Sequence, residues 1–130
     1  MKPLFAILNQ PKMRMVGKIQ LIFALLIYFY FAWSSAPIMI NSSPDWLMHF
    51  LGNCLLYGSF WWAFFYKRIP LIIFLALLPF SLAVEFGQAL NPHRTVSITD
   101  MLANVTGLFC AFLLGVYLQR FIPRSVIVQY

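Results

Sequence analysis

The residues able to do chemistry in this chain are few, and their spacing groups them. Asp45, His49 and Asn53 fall at i, i+4 and i+8, so in a helix they share one face. Ser81, Glu85 and Gln88 form a second such stripe, and Asp100 with Asn104 a third. Arg94 lies between the second and third groups. Acid, imidazole, amide and guanidinium side chains suit recognition of a polar head group, or proton transfer between His49 and a carboxylate. Asp45, His49, Glu85 and Asp100 also have the right ligand types for a divalent metal. No motif fixes a coordination geometry, so the sequence assigns no metal. No serine or cysteine stands in a nucleophile context, and Cys54 lies about one turn beyond His49.

The elements that must position these residues follow from composition. The 130 residues are 62% hydrophobic and 9% charged, with mean hydropathy +0.83. A soluble domain of this size needs far more charge to cover its surface. Four apolar stretches, about 19–40, 46–66, 69–90 and 101–122, each approach the ~20 residues that cross the hydrocarbon layer. In lipid these must be helices, because backbone groups there have no water to bond. The expected architecture is all-α, a single four-helix membrane domain over 19–122. A basic leader, 1–18, precedes it, either lying along the membrane surface or disordered, and a short tail, 123–130, follows. The first stretch has signal-peptide flavour, with Ser34-Ser35-Ala36 at its end. Its apolar core is too long for that, so it reads as a retained helix.

Charge sets the orientation. With the N-terminus inside, Lys2, Lys12, Arg14, Lys18, Lys67, Arg68, Arg120 and Arg124 are cytoplasmic, and Arg94 alone is outside. Both chain ends are then cytoplasmic. The net charge of +6 is thereby explained by topology, and nucleic-acid binding is excluded as a function class. All three carboxylates fall near the outer face. Asp45, after Ser43-Pro44, and Asp100, after Ser97 and Thr99, sit where an acid steadies a helix start. Glu85 differs, because it sits about five residues before the expected helix end at Leu90, where the macrodipole opposes a negative charge. An ionisable residue there costs about 2.5–3.5 kcal/mol to insert. Glu85 must therefore be protonated, paired or facing a wet cavity, and Arg94 is its expected partner.

Packing signals complete the pattern. Gly107, Ala111 and Gly115 make a small-residue stripe for close helix approach, and a seam for a homodimer if one forms. Pro79 is expected to kink the third helix. The aromatics of 28–33 and 61–66 read as interfacial belts, with no cofactor site among them. Cys54 and Cys110 read as packing residues.

At these residues the sequence resembles the VanZ-like family of small bacterial membrane proteins. The likeness rests on Asp45-x-x-x-His49-Phe50, Glu85-x-x-Gln88, Pro92-x-Arg94 and Asp100-x-x-x-Asn104-x-x-Gly107, in that order from Asp45 to Gly115. Trp46 departs from the pattern, standing where members usually carry lysine. The resemblance implies a multi-pass protein of the bacterial cytoplasmic membrane. It also implies a link to glycopeptide resistance, since the family's namesake is associated with teicoplanin.

Three function classes follow. The first is an outward-facing polar cavity of Asp45, His49, Glu85, Gln88, Arg94, Asp100 and Asn104. It would bind or remodel an envelope lipid, a lipid-linked cell-wall precursor or a glycopeptide. The second is an intramembrane acid–base or metal-assisted enzyme acting on a lipid-linked substrate. The third is a small transporter or structural accessory protein, although four helices without an inverted repeat are few for alternating access.

Overall fold

The structure is a computed structural model that describes residues 2–33, 44–88, 90 and 97–127, with side chains from Leu4 onward. It is all-helical, with no strand among the described residues. A short α1 (Lys2–Leu8) leads into α2 (Pro11–Trp33), α3 (Asp45–Phe64), α4 (Pro70–Gln88) and α5 (Ile98–Gln119). Single 3-10 turns cover Phe65–Lys67 and Arg124–Val126.

Three helices are long and apolar enough to cross a membrane: Pro11–Trp33, Pro70–Gln88 and Ile98–Gln119. α3 matches them in length, with 20 residues, or about 30 Å. It is less apolar because it carries Asp45, His49, Asn53 and Ser59. Asn53 and Ser59 are buried against neighbouring helices. The outer surface carries large apolar side chains such as Phe23, Leu26, Leu55, Ile72, Phe86 and Leu102, all exposed. A continuous coat of this kind fits a lipid-facing surface and is costly in water.

α3 is the hub, touching α2, α4 and α5, and its interface with α5 is the most extensive. The small-residue stripe explains that interface. A Cβ on Gly107 would collide with the Phe50 carbonyl, and one on Gly115 would come within 3.0–3.2 Å of the Trp61 and Tyr57 rings. Both glycines are therefore spent on packing within the chain, the arrangement expected where close contact replaces hydrophobic drive. Below this, Leu56, Tyr57, Ile73, Leu77 and Leu108 form the apolar core. The Tyr57 hydroxyl donates to the Pro70 carbonyl at 2.9 Å, tying α3 to the start of α4. Between them Arg68 adopts left-handed backbone (φ 51°, ψ 44°), the reversal that closes the first 3-10 turn.

Several expectations change in detail. The first long helix starts at Pro11 rather than 19, so Lys12, Arg14 and Lys18 lie on its opening turns. The leader is helical, and Phe5 of α1 is buried with Phe65, Tyr66, Ile122 and Val126. Phe65 and Tyr66 are thus core residues, not belt residues. Arg14 stacks over the Tyr66 ring at 4.0 Å and also hydrogen-bonds Asn9. Pro44 is the residue before α3 rather than its first helical position, and it makes no side-chain cap. α4 runs through Pro79 to Gln88, so Glu85 lies in the last turn, nearer the helix end than the sequence suggested. Cys54 packs, with Sγ donating to the Gly107 carbonyl at 3.2 Å, whereas Cys110 is exposed.

Candidate functional site

α3, α4 and α5 bring their polar stripes together at one end of the molecule. His49 projects from α3 toward Asn104 of α5, with Nδ1 3.1 Å from the Asn104 Oδ1. The same Nδ1 lies 3.5 Å from Glu85 Oε2 on α4. One turn further along α3, Asn53 Nδ2 donates to Asn104 Oδ1 at 2.6 Å and to the His49 carbonyl at 2.9 Å. Asn104 Nδ2 in turn faces Glu85 Oε2 at 3.5 Å. Glu85 is 1% exposed, and Asn53 and Asn104 are fully enclosed beside it.

These contacts fix a tautomer. Asn104 must present Nδ2 to the carboxylate of Glu85, which leaves Oδ1 to the other side. That oxygen can only accept, so His49 Nδ1 carries a proton and donates. The other ring nitrogen, Nε2, then faces outward, 4.0 Å from Asp45 Oδ1. His49 accordingly stands between two carboxylates, one buried and one at the rim.

Glu85 is compensated by more than side chains. Its Oε1 accepts from the backbone N–H of Ser97, the residue that opens α5, at 3.4 Å. Ser97 Oγ in turn accepts from the Asp100 N–H at 3.4 Å, capping that helix. The macrodipole of α4 opposes charge on Glu85, but the positive end of α5 lies against it and offsets that penalty. A backbone donor of this kind has no side-chain signature, so the sequence carries no sign of it, and the expected pairing with Arg94 lies outside the described residues.

Asp45, His49, Glu85, Asp100 and Asn104 are therefore assembled as the spacing suggested. Asp45, His49 and Asp100 each present one ligand-type atom within 4.8 Å of the others. Gln88 goes elsewhere, since its Nε2 donates to the Ala32 carbonyl at 2.9 Å and clamps α4 to the end of α2. Arg94, with His93 and Pro92, lies outside the described residues. The sequence reading underweighted Asn53, which joins α3 to Asn104, and it missed Tyr28, whose hydroxyl lies 3.4 Å from Ser81 Oγ. Ser81 shares the Glu85 stripe, but a tyrosine in an aromatic run gives no sign of facing inward.

Two further polar contacts sit away from this cluster. Gln20 Nε2 donates to Ser59 Oγ at 2.8 Å between α2 and α3. Gln119 accepts from the Trp61 ring N–H at 3.2 Å and donates to the Phe65 carbonyl at 2.9 Å. Both tie neighbouring elements together, and among the described residues neither contact involves a titratable group, which fits a structural role.

The VanZ/LLP1 family model matches residues 2–119. The chain belongs to the VanZ/LLP1 family. The match takes in α1 and α2 as well as the stretch from Asp45 to Gly115 that carries the polar motifs, so the N-terminal helices are part of the family's unit. No curated protein and no solved structure matches the chain. In this chain the membrane character is carried by the three long apolar helices.

Proposed function

We propose that this VanZ/LLP1 protein sits in the bacterial cytoplasmic membrane with α2, α3, α4 and α5 all spanning it and both ends inside. Lys12, Arg14, Lys18, Lys67, Arg68, Arg120 and Arg124 gather where α2 and α4 begin and α3 and α5 end, which supports that orientation. The polar cluster is then at the outer leaflet. Its role is to bind or remodel the polar head group of an envelope lipid or a lipid-linked cell-wall precursor. Altered teicoplanin susceptibility is the phenotype the family suggests.

The observation that carries this reading is Glu85, a carboxylate 1% exposed in an apolar helix and bonded into a network that reaches the surface at Asp45. Structural hydrogen bonding alone rarely justifies such a residue, because interhelical bonds in membranes average only about 0.6 kcal/mol. Native mass spectrometry of protein extracted from its own membrane tests it. A retained head-group-bearing lipid, lost in Glu85→Gln, is expected; a protein that consistently emerges empty contradicts it.

A second reading is acid–base catalysis, favoured by the position of His49 between Asp45 and Glu85. Chemically altered lipid recovered from wild type but not from His49→Gln separates it from binding alone.

A further inference from the structure

Two buried or half-buried groups aim into one small space at the mouth of the cluster, and neither is explained by packing. Asp100 is 7% exposed, yet no described residue donates to its carboxylate. Its backbone N–H is engaged by Ser97, which makes the side chain unnecessary for capping α5. One of its oxygens lies within 4.8 Å of ligand atoms of both His49 and Asp45. His49 has its Nδ1 proton held by Asn104 and faced by Glu85, so Nε2 turns toward the same space.

We infer that Asp45, His49 and Asp100 bind one divalent transition cation of the zinc or manganese type. The donor set, one imidazole nitrogen and two carboxylate oxygens, suits such ions and leaves coordination positions open. Glu85 and Asn104 are the outer shell. A metal-ligating histidine characteristically donates its other N–H to a carboxylate or carbonyl, which fixes the tautomer and aims the lone pair, and His49 is held in that way. Burial grades inward from Asp45, 65% exposed at the rim, through His49 at 13% to Asp100. That gradient gives an ion an entry path from outside.

The inference deepens the head-group reading and rests on it for the ion's purpose, though not for the ligand set. Carboxylate oxygens repel a phosphate and offer it no donor. A divalent cation held by them offsets that repulsion and offers open positions to phosphate oxygens. The head group the site takes is therefore a phosphate-bearing one.

The test uses tag-free, full-length protein in detergent, stripped with chelator and dialysed against ZnCl2 or MnCl2, with metal content measured per chain. Wild type is expected to hold about one ion. Asp100→Asn and His49→Gln should each weaken binding at least tenfold, and Glu85→Gln by about 10–100-fold as an outer-shell change. Asp45→Asn, at the exposed rim, serves if the buried variants do not fold. Folded wild type that retains no ion overturns the site, as does an ion held equally by Asp45→Asn, Asp100→Asn and His49→Gln. Phosphatidylglycerol nanodiscs, with and without chelator, separate the two claims. Lipid retained by metal-free wild type leaves the head-group reading standing and removes the cation, whereas metal bound without lipid does the reverse.

Discussion

His49 donates to an amide on one side and faces an aspartate on the other, and the amide that holds it is the least replaceable residue of the cluster. Asn104 accepts from Asn53 and His49 while donating to Glu85, so it serves three partners across two helices. Asn104→Ala would leave a buried amide, a ring N–H and a carboxylate each short of a partner. Unpaired buried groups cost about 1–3 kcal/mol, tempered in membranes by partners found elsewhere. Asn104→Ala is expected to melt several degrees below wild type, and a melting curve in detergent checks it. The residue types in this cluster were legible because so few polar residues interrupt an apolar chain, and helical spacing put them on facing stripes. The donors were not. Ser97 reaches Glu85 through its backbone, and Gln88 turns to Ala32 because α4 meets α2, a contact no local pattern encodes.

Among the elements, the α3–α5 pair sets the geometry of the site. Gly107 lies against the backbone of Phe50, one residue from His49, so any side chain there forces the two helices apart. Gly107→Ala should destabilise by about 1–3 kcal/mol, the usual range for overpacking, and should pull His49 from Asn104. Gly58, by contrast, has open space at its Cβ position. Gly58→Ala should be neutral or stabilising by up to about 1 kcal/mol through helix propensity. Thermal melts of the two variants side by side make the comparison. The four long helices were readable from hydropathy, but their starts were less so. Lys12, Arg14 and Lys18 interrupt the apolar run that marks the spanning part of α2, yet lysine and arginine are good helix formers and the helix continues through them. α1 docks through Phe5 and Leu8 while Leu4 and Ile7 stay exposed, and seven residues that are mostly apolar give no periodic signal of which side is buried.

Over the whole molecule, charge is divided between the two ends. Lys12, Arg14, Lys18, Lys67, Arg68, Arg120 and Arg124 gather toward one end, that of the buried ring cluster of Phe5, Phe65 and Tyr66. The acids line the other. Under the proposed orientation the basic end faces the cytoplasm, as the positive-inside rule expects. Reporter fusions at the N- and C-termini are both expected to report a cytoplasmic location; a periplasmic or extracellular C-terminus would invert the site and remove it from the outer leaflet. The small-residue stripe, which sequence offered as a dimer seam, is occupied by α3 at Gly107 and Gly115, so a second copy would have to use another face.

The central claim is that Glu85 is kept for a ligand rather than for the fold. The direct test compares wild type and Glu85→Gln for melting temperature and for lipid retained on extraction, since glutamine keeps shape and acceptor while removing the charge. An unchanged or higher melting temperature together with lost head-group retention is the expected result. A drop of several degrees with lipid still retained would make Glu85 a structural partner and contradict the account.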